Sequence, residues 1–78
     1  MNVQELKKIL SEALDNCEIE IQIDGNKVYL DLVSSSFSGL TRVKRQQLVY
    51  GFLKDKIASG EIHAVMMRTV TPEENTRS

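Results

Sequence analysis

Few side chains in this sequence could hold a soft metal. There is one histidine, His63, which lies in a largely apolar run after Gly60, and one cysteine, Cys17. Imidazole nitrogen and thiolate sulfur are the protein ligands that iron, copper and zinc prefer. Because two such residues cannot complete a site of four ligands, any metal bound here must be shared with a second molecule.

The rest of the sequence lacks the arrangements that catalysis requires. No nucleophile stands beside a base in a recognisable motif, and no glycine-rich loop could cradle a phosphate. The adjacent carboxylates Glu73 and Glu74 follow Thr71-Pro72, which is the pattern of a capped helix start in an exposed terminal turn. We therefore expect that the protein is not an enzyme.

Composition indicates one small intracellular domain. The 78 residues are 41% hydrophobic and 27% charged, which is ordinary for a folded domain. We expect a single domain over residues 1–78, with a core of about 2–71 and a C-terminal tail of 72–78. A single cysteine excludes an internal disulfide, and there is no membrane-length apolar run and no secretory signal pattern. These features predict a cytoplasmic protein without a membrane partner.

The charges are distributed unequally along the chain. Residues 1–33 carry three lysines against seven acidic side chains, a net charge of −4, whereas residues 34–58 carry five basic side chains against one acidic, a net charge of +4. Arg42, Lys44 and Arg45 make the second segment a candidate contact for an acidic protein or a phosphate backbone. Solvated helix faces would explain the same charges without any partner.

The first half of the chain predicts a helix followed by a β-hairpin. Apolar residues recur every three or four positions over Val3–Leu14, and Asn2 can cap that helix. From Cys17 to Ile23, apolar and polar residues alternate, and the alternation resumes over Val28–Leu32. Between these strands, Asp24–Asn26 supplies turn residues that tolerate a positive φ angle.

A second helical region follows the serine loop at residues 34–36. Gly39 or Thr41 could begin it, and Gly51 suggests two shorter helices that meet at that residue. Several apolar side chains share the seven-residue spacing of one helix face, which we expect to be buried; they are Val43, Tyr50, Leu53 and Ile57, with Val49 beside them.

The last regular element is predicted to be a strand over about Glu61–Val70. In this strand Ile62, Ala64 and Met66 face one way, and the other face is exposed and carries His63, Val65 and Met67. A strand that follows a helical crossover normally returns parallel to the strand before it. The predicted fold is therefore a small α/β (α+β) domain, ordered α-β-β-α-α-β, whose three-stranded mixed sheet has its helices on one face.

Four segments of the sequence together resemble the BolA family, and within it the short bacterial IbaG-type branch. They are Phe37–Gly39, Arg42–Tyr50, Ile62–Ala64 and Thr71–Glu74. The resemblance covers nearly the whole chain in order and spacing. It implies a fold similar to a class II KH domain, in agreement with the element order predicted above.

The resemblance also implies a function. BolA-like proteins pair with monothiol glutaredoxins, and the pair holds a [2Fe-2S] cluster between a glutaredoxin cysteine, glutathione and BolA-side ligands. His63 matches the C-terminal histidine ligand of the family. By this resemblance the isolated chain carries no cofactor, is a monomer or weak homodimer, and takes part in a stress response.

One departure from the family concerns the second ligand. Many members carry a cysteine or histidine in the loop between the first two strands, but here that loop, Asp24–Lys27, has neither. Cys17 is the remaining alternative. Its place at the start of the first strand favours a small buried hydrophobic residue over a ligand.

Two alternative interpretations remain open from the sequence. His63 could be a structural histidine, held by hydrogen bonds beside the sheet. A KH-like fold with Arg42, Lys44 and Arg45 on its basic helix could instead bind DNA or RNA, for example as a transcriptional regulator. Against the second interpretation, no Gly-x-x-Gly clamp loop is present.

Overall fold

The computed structural model describes residues 1–76, so Arg77 and Ser78 at the end of the predicted tail lie outside it. Its elements are α1 (Val3–Ala13), β1 (Glu18–Asp24), β2 (Lys27–Val33), a 3₁₀ turn (Ser35–Phe37), α2 (Arg42–Phe52), α3 (Lys54–Ala58), β3 (Ala64–Val70) and α4 (Pro72–Thr76). The predicted order is confirmed, and α4 follows it. No helix in the described part of the chain is long and apolar enough to cross a membrane.

The sheet has the predicted mixed topology, with the strands in the order β1-β2-β3. Strands β1 and β2 are antiparallel, and Asp24 pairs with Lys27, so the hairpin loop is Gly25-Asn26. Gly25 has a φ angle of 61°, a left-handed conformation that glycine adopts without strain. Strand β3 lies parallel to β2 from the Lys27–Ala64 pair onward, as the crossover rule predicts.

The core lies between the sheet and helices α1 and α2, and α3 contributes no buried side chain. Asn2 caps α1 as predicted, since the Glu5 N–H donates to its side-chain oxygen at 2.8 Å. The buried apolar side chains come from every layer; they are Leu6, Leu10, Leu14, Val28, Leu30, Leu32, Phe37, Val49, Leu53 and Ile62. Because Val28, Leu30 and Leu32 alternate along β2, the side chains between them project to the opposite face of the sheet.

The short helix α4 covers one end of that opposite face. Val33 projects there, yet it is only 8% exposed. Beside it lies a groove whose walls include Pro72, Asn75 and Thr76 of α4. The prediction that the first helix and the crossover helices share one face of the sheet is confirmed, and α4 is an additional helix on the other face.

The serine loop after β2 is fixed to the end of α1. The Ser34 hydroxyl donates to the Asp15 carbonyl at 2.6 Å, and the Asp15 N–H donates to the Ser36 hydroxyl at 3.0 Å. These bonds satisfy polar groups close to the core, where an unpaired group would be costly. They also hold the 3₁₀ turn that delivers Phe37, which is fully buried.

The crossover contains two helices, but their junction differs from the prediction. Thr41 caps α2, since the Lys44 N–H donates to its hydroxyl at 3.2 Å. The break between α2 and α3 falls at Leu53, two residues after Gly51. Gly51 is helical, and no atom outside its own helix lies within 4 Å of the position that a Cβ would take. The glycine is therefore tolerated within α2 and does not break it.

The prediction that one apolar stripe of the crossover helices is buried is wrong for three of its side chains. Val43, Tyr50 and Ile57 are 61%, 41% and 38% exposed, whereas Val49 and Leu53 are buried. Leu48 and Phe52 also pack against the core, so the buried apolar residues are clustered within two turns of helix. A denser apolar cluster removes more surface from water than a stripe with one residue every second turn.

Strand β3 is shorter than predicted. It begins at Ala64, so Ile62 and His63 lie before it and do not follow its alternation. Ile62 is buried in the core while Met66 is 43% exposed, so the prediction that they share a face is wrong. Val65 and Met67 pack against the core on the helix side of the sheet. They do not form the exposed strand face on which His63 was expected.

Candidate functional site

His63 lies at the end of the sheet where β3 begins and the hairpin turns. Its backbone N–H donates to the Asn26 carbonyl at 2.8 Å, and the Ala64 N–H approaches the same oxygen at 3.4 Å. Asn26 belongs to the two-residue loop between β1 and β2. The backbone of His63 is therefore held directly against this hairpin loop.

The imidazole of His63 is exposed and makes no hydrogen bond or ion pair within residues 1–76. Its Nε2 atom lies 3.8 Å from the position that a Cβ on Gly60 would occupy. Gly60 has a φ angle of 85°, which ends α3 and turns the chain toward β3. The interpretation of His63 as a histidine held by internal hydrogen bonds finds no support in this geometry.

A mainly apolar groove of about 290 Å³ adjoins this imidazole. Its lining consists of Tyr50, Ile57, Ile62, His63, Ala64 and Val65. Tyr50 and Ile57 are the exposed members of the predicted helix stripe, so the stripe contributes to a surface rather than to the core. Exposed apolar side chains around one potential ligand are typical of a protein docking surface.

Cys17 lies far from this groove. It directly precedes β1, whose first residue, Glu18, pairs with Val33 at the opposite end of the sheet from the hairpin loop. The two ends of β1 are six residue steps apart, which corresponds to about 20 Å. Metal–ligand bonds are about 2 Å long, so Cys17 and His63 of one chain cannot bind the same metal ion.

Other ligands within the chain are also lacking. No group of three or more His, Cys, Asp or Glu side chains in residues 1–76 is arranged to hold a metal ion. Cys17 is partly buried and packs against the core, in agreement with its predicted role as a small hydrophobic residue. His63 is therefore suited to completing a site that another molecule largely supplies.

Lys56 fixes the segment that leads to His63. Its ammonium group pairs with the carboxylate of Glu5 on α1 and lies 3.4 Å from a carboxylate oxygen of Glu61. Its carbonyl oxygen accepts a hydrogen bond from the Ile62 N–H at 3.2 Å. The hydrogen bond from Lys56 lowers the pKa of Glu5, and its bond to Glu5 raises the pKa of Lys56. These contacts join α1 and α3 to the chain before β3.

The basic residues that the sequence singled out occupy different environments. Arg42 and Lys44 are exposed and form no ion pair within the described residues 1–76. The Arg45 side chain is only 12% exposed. Its guanidinium donates to the backbone carbonyls of Leu40 and Thr69 at 2.9 and 3.0 Å. The three residues thus provide two free cations and one that joins α2 to β3.

Arg45 also binds the carboxylate of Glu74 with two hydrogen bonds of 2.6 and 3.2 Å. The same carboxylate accepts the Thr71 N–H at 2.9 Å, and the Glu74 N–H donates to the Thr71 hydroxyl at 3.2 Å. The Arg45 hydrogen bonds, together with that from Thr71, lower the pKa of Glu74 from its usual 4.5 to about 2. This supports the structural interpretation of Glu74 as a capping residue.

Sequence reasoning missed three contributors to this region. The helix spacing predicts that Tyr50 and Ile57 are buried, whereas they line the groove. Asn26 contributes through its backbone carbonyl, which accepts the His63 N–H, and the type of side chain at position 26 does not indicate this contact. The pairing of Arg45 with Glu74 joins residues 29 positions apart, which no local pattern reveals. The two residues lie in separate segments, Arg42–Tyr50 and Thr71–Glu74, which the sequence connects only through the resemblance to a family.

Comparison with known proteins agrees with that resemblance. Residues 22–74 match the family described as BolA-like protein. The acid stress protein IbaG of Escherichia coli (strain K12) is 39% identical over 77 residues, which are 99% of this chain and 92% of that protein. A protein of Acinetobacter guillouiae, from its rpoN-murA intergenic region, is 42% identical over 95% of this chain and 89% of its own length.

Among solved structures, the BolA domain of SufE1 from Arabidopsis thaliana superposes with a TM-score of 0.86. Its sequence is 28% identical, and the match covers 95% of this chain and 98% of that domain. The sequence relatives and the superposed structure cover nearly the whole chain, and the family match covers residues 22–74. The protein belongs to the BolA family.

Proposed function

We propose that this protein is a cytoplasmic adaptor that pairs with a monothiol glutaredoxin and helps to bind, transfer or sense a [2Fe-2S] cluster through His63. The observation that carries the proposal is the exposed imidazole, which has no hydrogen-bond partner in residues 1–76 and adjoins an apolar groove. A histidine that stabilises its own fold usually has such a partner. Membership of the BolA family supports the choice of partner.

The number of ligands determines the form of the complex. A [2Fe-2S] cluster needs four ligands, and imidazole can replace thiolate on one of its irons. His63 provides one ligand, while the hairpin loop provides no cysteine or histidine and Cys17 lies at the far end of the sheet. With the glutaredoxin cysteine and glutathione this makes three ligands, so the fourth must come from a group other than a cysteine or histidine of this chain. A bound cluster contributes electron transfer and iron exchange, and this chain contributes a nitrogen lone pair.

The groove provides the protein contact. Tyr50 and Ile57 are exposed beside His63, so their burial by a partner would favour association. Arg42 and Lys44 on the same crossover can accelerate docking to an acidic surface. Docking is thus expected to occur without the cluster and to depend on the groove more than on the imidazole.

The name of the Escherichia coli relative suggests a physiological setting in acid stress. Only neutral imidazole has a lone pair for iron, so ligation by His63 competes with protonation and weakens as the pH falls. Loss of His63 as a ligand would therefore be one way in which acid changes the shared cluster. On this ground we propose that the protein takes part in a stress response to acid.

The test is to mix the purified protein with a cluster-loaded monothiol glutaredoxin and to record visible absorption and circular dichroism. The parent protein should give a spectrum distinct from that of the glutaredoxin homodimer, because a nitrogen ligand changes the cluster. His63→Ala should lose this spectrum. Cys17→Ala is the matched control and should retain it.

A separate measurement distinguishes ligation from docking. Calorimetric titration of the two proteins without cluster should give nearly the same affinity for His63→Ala as for the parent, whereas Tyr50→Ala should bind more weakly. If a folded His63→Ala variant gives the parental cluster spectrum with the parental pH dependence, His63 is not a ligand. Nucleic-acid binding is less well supported, because Arg45 is engaged within the fold.

A further inference from the structure

The face of the sheet opposite α1–α3 is open over most of its area. The register aligns its side chains in two rows across the three strands, which are Gln22–Tyr29–Met66 and Glu20–Asp31–Arg68. Tyr29 and Met66 are adjacent and are 37% and 43% exposed. This face therefore presents an aromatic ring beside a flexible apolar side chain at its centre.

These rows form the floor of a groove of about 380 Å³. At one end of the groove, the Arg68 guanidinium donates to the side-chain oxygen of Asn75 on α4 at 3.2 Å. The same guanidinium donates to the Asp31 carboxylate at 2.9 Å. The groove thus has an apolar centre, a charged end at Asp31 and Arg68, and a β1 side that carries Glu20.

The acidic side of this groove is not neutralised. Glu20 is exposed on the β1 side of this groove, and Glu18 is exposed farther along β1 in the neighbouring groove. Neither carboxylate has a cation within 4.0 Å among residues 1–76. Glu20 also pairs directly with Asp31 across the strands, and like charges in that position destabilise a sheet. Arg68 compensates Asp31 only. A cation from outside the chain would remove the remaining repulsion.

We infer that this open face docks a protein partner that presents a lysine or arginine beside an apolar side chain. Glu20 attracts the cation, with Glu18 acting from the neighbouring groove. The Tyr29 ring favours a cation over its face, and Met66 adapts to the apolar neighbour. The inference does not rest on the proposed function. Because the groove at His63 lies at the helix side of the sheet, both surfaces can be occupied together.

A second copy of this chain is the competing occupant. Its Arg42-Val43-Lys44 segment has the required chemistry, and Val43 is 61% exposed. Contact between that helix and the sheet face of another copy would be head-to-tail, however, and such contacts extend into open chains unless they close into a ring. The geometry therefore favours a different protein as the partner.

The test uses a blocked peptide of alternating lysine and leucine, seven residues long, titrated into the ¹⁵N-labelled protein. Amide shifts should concentrate at Gln22, Tyr29 and Met66. The same peptide with glutamate in place of lysine should cause none of these shifts. Raising the salt concentration should lower the affinity of the lysine peptide for the protein, because salt screens the attraction between exposed charges.

Charge reversal at the groove should then reduce affinity. Glu20→Lys should weaken peptide binding about fivefold, because an attraction is replaced by a repulsion of similar size. Glu12→Lys on α1 makes the same change in net charge away from the groove and should alter affinity less than about twofold. If Glu20→Lys fails to fold, Glu20→Gln replaces it in the test because it preserves the side-chain shape. It should also weaken peptide binding.

Three results would overturn the inference. Equal effects of Glu12→Lys and Glu20→Lys would show attraction to net charge alone. Shifts confined to α2 and α3 would place the peptide on the helix side. In analytical ultracentrifugation, the sedimentation coefficient of the parent protein could increase with protein concentration while that of Val43→Glu stays at the value of a monomer. That result would assign the face to a second copy of the chain.

Discussion

One substitution made at two glycines tests the backbone geometry near the site. Gly51 is helical, and no atom outside its own helix lies within 4 Å of the position of an added Cβ. Gly60 has a φ angle of 85°, and an added Cβ would lie 3.8 Å from Nε2 of His63, an ordinary contact. The same change to alanine should therefore stabilise the protein at Gly51 and destabilise it at Gly60.

The two magnitudes follow from different causes. Alanine in place of a helical glycine gains about 0.5–1 kcal/mol, chiefly in backbone entropy and helix propensity. An L-residue in the left-handed region costs about 1–2 kcal/mol. Because 1 kcal/mol shifts the Tm of a domain this size by about 4–8 °C, Gly51→Ala should raise Tm by about 2–8 °C. Gly60→Ala should lower it by about 4–16 °C.

Thermal unfolding followed by far-ultraviolet circular dichroism, with urea unfolding as a second measure, is the assay. Shifts of the same sign at both positions would refute the assignment of Gly60 to the left-handed region or of Gly51 to the helix. Because the Gly60 turn leads directly to His63, Gly60→Ala should also weaken the cluster spectrum with glutaredoxin. Gly51→Ala should leave it unchanged.

Two further predictions concern packing and pH. Val49→Ala should lower the free energy of unfolding by about 2 kcal/mol, because it removes buried methyl groups. Val43→Ala should change that free energy by less than about 0.5 kcal/mol, because Val43 is exposed. Equal losses for the two variants in urea unfolding would contradict the burial described above. Glu74→Gln should be less stable than the parent at neutral pH, and because the folded pKa of Glu74 is about 2 against a usual 4.5, that difference should disappear as the pH falls from about 4.5 to 2. A difference that persists unchanged at pH 2 would show that the charge of Glu74 is not its cause.

Local patterns were enough to predict the hairpin, the first helix and the parallel third strand. The alternation over Cys17–Ile23 and the cap at Asn2 are short-range signals, and the structure confirms both. The parallel direction of β3 follows from the helical crossover that separates it from β2 and needs no knowledge of side chains. His63 could also be selected from the sequence, because it is the only histidine present.

The surroundings of His63 could not be predicted in the same way. The α2–α3 segment has apolar residues on two faces, and only packing against the sheet decides that Val49 is buried while Tyr50 is exposed. The face on which His63 lies depends on where β3 begins. A shift of that start to Ala64 changed which neighbours the imidazole meets.

The double hydrogen bond from His63 and Ala64 to the Asn26 carbonyl has a consequence for how the ligand set can change in evolution or by design. The hairpin loop is already in contact with the backbone of the histidine, so a new donor there needs no rearrangement of the chain. One substitution to cysteine or histidine in this loop would add a potential second ligand while the fold stays the same. An insertion would instead displace the carbonyl that holds His63, so loop length should be more constrained than loop composition.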